Sequence, residues 1–80
     1  MDKEDLAYFT KMSKYTPEIG EDIPESRQSY INYFTSQINK TAKEALQGKT
    51  SSDNAKDTID EYVGLIKKVG TEGTKNVSLG

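Results

Sequence analysis

Residues 24–48 read PESRQSYINYFTSQINKTAKEALQG, and this stretch decides the fold. Its apolar residues Tyr30, Ile31, Phe34, Ile38, Ala42, Ala45 and Leu46 recur at spacings of three and four. Side chains spaced in this way share one face of an α-helix, so the pattern predicts a long helix near 24–47 with one side buried. The ends are punctuated to match. Pro24 is placed in the first turn, where the N–H that proline lacks would have no partner anyway. Glu25 sits near the positive end of the helix dipole. Gly48 is placed just past the last turn, in the left-handed conformation that glycine adopts without strain. Tyr33 falls off the main stripe, towards a second neighbour.

Downstream, Thr50-Ser51-Ser52-Asp53 offers side-chain oxygens to the exposed N–H groups of a new helix. Ala55, Ile59, Tyr62, Val63, Ile66 and Val69 supply its apolar face, predicting a second long helix near 51–69. Lys67 and Lys68 are placed in its last turn and Gly70 just beyond it, repeating the basic-residue-then-glycine ending of its predecessor. The link between the two helices, Gln47 to Ser51, is too short for anything but an antiparallel or steeply angled pair.

Upstream, Leu6, Phe9 and Met12 predict a shorter helix within 3–14, ended before Pro17 because the residue ahead of a proline is pushed out of the helical region. Tyr15 to Pro24 is a loop, with Ile19 and Ile23 turned back into the core. The expected fold is therefore all-α: a small three-helix domain over 1–70, followed by a flexible tail over 71–80 that has glycines and no periodicity. Its most buried residues are expected to be Leu6, Phe9, Ile31, Phe34, Ile38, Leu46, Ile59, Val63 and Ile66.

Composition narrows the function. Leu, Ile, Val and Phe make up only 15 of 80 residues, which borders on the range of disordered chains, but the net charge is only −2. The outcome then rests on spacing, which favours folding. There is no His, Cys or Trp. Disulfides, thiolate or imidazole metal sites, cysteine nucleophiles and histidine-dependent triads are thereby excluded. The start of the chain has no signal peptide, lacking a basic start and an apolar run, and no stretch approaches the ~18 apolar residues of a membrane span.

Charge is unevenly distributed, with a net −4 over residues 1–26 and +3 over 27–49. The bases of the second segment, Arg27, Lys40, Lys43 and Lys49, are spread over the length of about six helical turns in a chain of pI about 5.0. That is a solvated face, and nucleic-acid binding is not expected.

Few groupings could carry chemistry. Of the acids Asp53, Asp57, Asp60 and Glu61, the first two and either Asp60 or Glu61 share one surface of the third helix, but a calcium site takes its ligands from an irregular loop. These acids read as a solvated face near a helix N-terminus. Thr10, Lys11, Ser51 and Ser52 have no activating base and no oxyanion donors, and read as caps and surface. Gly70-Thr71-Glu72-Gly73 lacks the lysine and the strand–helix setting of a phosphate loop.

Among seven aromatic rings, Phe9, Phe34, Tyr30 and Tyr62 read as core, and of the other three Tyr15 and Tyr33 are the candidates for an exposed role such as stacking on a sugar. Asn39-Lys40-Thr41 and Asn76-Val77-Ser78 match the glycosylation sequon. The expectation is a non-enzymatic chain with no cofactor, no metal and no catalytic residue, and with its ligand-binding residues unassigned.

The run Ala45-Leu46-Gln47-Gly48-Lys49-Thr50-Ser51-Ser52-Asp53-Asn54-Ala55 resembles a junction near the C-terminus of bacterial extracellular solute-binding proteins of ABC importers. In those proteins a helix ends in leucine, glycine and lysine, and a Ser/Thr/Asp cap starts the next helix around an alanine. Ile59-Asp60-Glu61-Tyr62-Val63 and Ile66-Lys67-Lys68-Val69-Gly70 resemble the last helix of the oligosaccharide-type lipoproteins in that group. The likeness spans roughly residues 25–70.

It implies a C-terminal piece of a two-lobed protein that captures a sugar outside the cell, at the cell envelope, with the remainder of that protein as partner. The chain is too short to form two lobes, has no lipobox cysteine and lacks the tryptophan common in sugar sites, so no ligand-contacting residue is carried over. The alternative is a stand-alone helical module, in the cytoplasm, that presents one amphipathic face to a protein partner.

Overall fold

The computed structural model describes residues 1–18 and 23–72, the last two by their backbone alone. The architecture is all-α, with a short helix α1 (Lys3–Met12) and two longer ones, α2 (Glu25–Leu46) and α3 (Ser52–Glu72), packed together. The rings of Phe34 and Tyr62 lie 5.8 Å apart, each about three turns from the α2–α3 link, so the two long helices run antiparallel.

The link closes through its backbone. Gly48 has φ 74°, as its position predicted. Its N–H donates to the Ala45 carbonyl at 3.1 Å, and the Lys49 N–H donates to that of Glu44 at 2.9 Å. This pair of bonds is the Schellman arrangement, which satisfies carbonyls that the end of a helix would otherwise leave open. Three residues later Ser51 Oγ accepts from the Asn54 N–H at 3.2 Å and caps α3. Ala42, Ala45 and Ala55 are all buried here, and their small side chains let the helices draw close at the link.

The core gathers Phe9 and Met12 from α1, Ile31, Phe34 and Ile38 from α2, and Ile59, Ile66 and Val69 from α3. Ile23 packs against it from the loop, as expected. Ile19 and the tail from 73 onward lie outside the described residues.

Several expectations need correction. Leu6 is 52% exposed and Leu46 36% exposed, and Val63 is half-buried. In α1 the inward face is Asp5, Tyr8, Phe9 and Met12, the i, i+3, i+4, i+7 set. Leu6 lies off that face, which Phe9 and Met12 bury in the core while Asp5 pairs with Lys56 of α3 at 2.6 Å. In the last turn of α2, Ala42 and Ala45 fill the core positions. Leu46 follows Ala45 by about 100° around the helix, and so points away from the core.

The helix ends also differ in detail. Pro24 is the N-cap of α2 rather than its first helical residue, with φ −55° and ψ 147° and no side-chain cap bond. Gly70 does not end α3. Its φ is not left-handed, and the helix carries Thr71 and Glu72, expected in the tail, so Lys67 and Lys68 are not in the last turn. Val69 just before it is fully buried, and Gly70 sits inside the helix, where a glycine costs roughly 1 kcal/mol relative to alanine. α1 ends at Met12 rather than reaching Lys14. The chain then tightens through Lys14 N–H to Lys11 and Tyr15 N–H to Met12 carbonyl bonds, the i→i+3 pattern common at helix ends.

Candidate functional site

Three surfaces could meet another molecule: the acidic face of α3, the basic end of α2, and an apolar groove beside the α1–α2 connection. Asp53, Asp57, Asp60 and Glu61 all point to water. Among the described residues, no group of three or more carboxylates is drawn together closely enough to hold a metal ion. A helix rises about 1.5 Å per residue, so carboxylates along one exposed face spread out instead of converging.

The basic residues behave differently. Lys40, Lys43 and Lys49 line one shallow hollow of about 520 Å³, together with Ser36, Glu44 and Gln47. They gather because the Schellman turn brings Lys49 back beside the last turns of α2. Arg27, at the far end of the helix, is not part of this group.

The groove is larger, about 640 Å³, and mainly apolar. Tyr15, Pro17 and Ile23 form one wall, with Ile31, Ile66 and Gly70 opposite. It exists because α1 is short. The helix covers the half of the α2–α3 pair nearest the link, and beyond Met12 an irregular segment takes over. Tyr15 is half-buried at its edge and packed against the core.

Tyr33 is 39% exposed, as its place off the stripe predicted. Its ring stands edge-on to Phe34 at 5.8 Å, and Phe34 in turn meets Tyr30 at 6.3 Å and Tyr62 at 5.8 Å. Burial raises the Tyr62 hydroxyl pKa above its ordinary 10.0, with Tyr33 and Glu61 adding to the effect. The Tyr8 hydroxyl is raised by burial first and Asp60 second, with Lys56 opposing. Tyr30, Tyr33 and Tyr62 thus ring a buried phenylalanine, and only Tyr33 is exposed, so they do not form an open stacking platform.

The hydroxyls considered as nucleophiles are engaged or exposed. Thr10 Oγ1 donates to the Leu6 carbonyl at 2.7 Å, Ser51 is the α3 cap, and Lys11 is exposed on α1. Ser52 opens α3 itself. Gly70, Thr71 and Glu72 are helical, so they form no phosphate-cradling loop. Asn76 of the second sequon lies outside the described residues.

The residue that sequence reasoning missed is Asn39. Its Nδ2 donates to the Met12 carbonyl at 2.9 Å and to the Tyr15 carbonyl at 3.2 Å. The amide bridges α2 to the end of α1, joining the Tyr15 N–H on the Met12 carbonyl and giving the Tyr15 carbonyl a donor. The sequon pattern pointed to glycosylation at this residue, but the nitrogen a glycan would use is half-buried and already donates twice.

No protein-family model matches the chain, and neither curated proteins nor solved structures give a significant match. What the geometry defines is a class: a small all-α bundle whose two long helices share one core with a short third.

Proposed function

We propose that the chain is the C-terminal helical region of a bacterial extracellular solute-binding protein for carbohydrate import. In this reading it acts by surface contact with the remainder of that protein, not by catalysis. The observation that carries the reading is the α2–α3 link. Four residues of the junction on which the resemblance rests have a definite job there: Gly48 turns left-handed, Ser51 caps α3, and Ala45 and Ala55 are buried. The exposed Leu6 and Leu46 and the open groove are surfaces that a larger protein would cover. On this reading the chain works outside the cell or at its envelope.

A second reading, a stand-alone helical interaction module, is favoured by the closure of the core. Eleven apolar residues are buried among the described ones, with no buried polar or charged residue beside them. Sequencing the gene upstream of the Met1 codon separates the two. The first reading predicts a reading frame that continues upstream in frame and opens with a lipoprotein signal. An in-frame stop codon, with a ribosome-binding site between it and the Met1 codon, would overturn it in favour of the second.

A further inference from the structure

We draw no further inference here: the strongest candidate, the apolar groove of about 640 Å³ between the α1–α2 connection and the last turns of α3, walled by Tyr15, Pro17, Ile23, Ile31 and Ile66, is an unpartnered apolar face, and nothing in the structure shows what covers it.

Discussion

The two ends of the bundle are built by different means. At the α2–α3 link the geometry is set by neighbours in sequence: Gly48 and Lys49 bond to carbonyls three and five residues back, and Ser51 caps a helix that starts one residue later. Around α1 the geometry is set across the fold. Asn39 reaches Met12 and Tyr15, 27 and 24 residues away, and Asp5 reaches Lys56 on another helix. Local punctuation makes the first end nearly independent of the rest of the chain. The second holds only while α2 and α3 already stand together, which makes α1 the part that should open most easily.

The largest effect should come from the core that both ends share. Phe34 is 1% exposed and touches three tyrosine rings, so Phe34→Ala should cost about 3–5 kcal/mol. Leu6→Ala, on a residue first assigned to the core, should change stability by no more than about 0.5 kcal/mol if its side chain faces water. Urea unfolding of the two variants compares them directly, and equal losses would mean that the phase of α1 is misassigned.

Next in size is the latch. Asn39→Ala removes the two hydrogen bonds that tie α2 to the end of α1 and should cost about 1–3 kcal/mol, the net worth of two such bonds. Asn39→Asp should be no better, because a carboxylate would face two carbonyl oxygens with no proton to give. If the aspartate variant melts with the parent, the two hydrogen bonds do not hold α1.

The glycines sharpen the comparison through the sign of their effects. Gly48 has φ 74°, and an alanine there should destabilise by about 1 kcal/mol although the space is open. Gly70 is helical, with nothing within 4 Å of an added Cβ. There alanine should stabilise by about 0.4–1 kcal/mol. Thermal melts of the pair should move in opposite directions, and a loss at both sites would return Gly70 to the helix-ending role its sequence position implied.

The smallest effect is expected at high pH. The Lys56 ammonium is held above its ordinary 10.5, chiefly by its hydrogen bond to Asp5, and burial holds the Tyr8 and Tyr62 hydroxyls above 10.0. All three groups keep their protons longer in the folded chain than in the unfolded one. Their contribution is therefore complete below about pH 10 and is lost as pH rises through the folded values. Stability should be flat with respect to these groups from pH 7 to 9 and fall above 10. Asp5→Asn should reduce the part of that fall due to Lys56, read as a shallower slope in melting temperature against pH.

The same contrast explains what was legible in the sequence. Helix number, order and approximate extent followed from the three-four spacing, and Gly48 and Ser51 followed from residues whose partners lie within a turn. Leu6 was misplaced because Leu6, Phe9 and Met12 share the helical spacing while Tyr8 and Phe9 offer a second stripe with Met12. Packing of Phe9 and Met12 against the other helices sets the phase, and the Asp5–Lys56 pair accompanies it. Gly70 was misread because a glycine that ends a helix and one that a helix runs through look alike locally. Asn39 carried no signal for its latch, since its acceptors are backbone carbonyls and its local pattern was that of a sequon. The groove was equally hidden, because it follows from where α1 stops relative to the tops of α2 and α3.

Native-state amide hydrogen exchange, comparing the parent with Asn39→Ala, tests most directly the claim that α1 hangs on long-range contacts while the α2–α3 pair stands on its own link. The account predicts that the amides of Phe34, Ile38 and Ile59 exchange only with global unfolding in both proteins. Those of Tyr8, Phe9 and Lys11 should be less protected in the parent and lose further protection, beyond the global change, in the variant. Uniform loss across all three helices, or α1 amides as protected as those of α2 in Asn39→Ala, would contradict it.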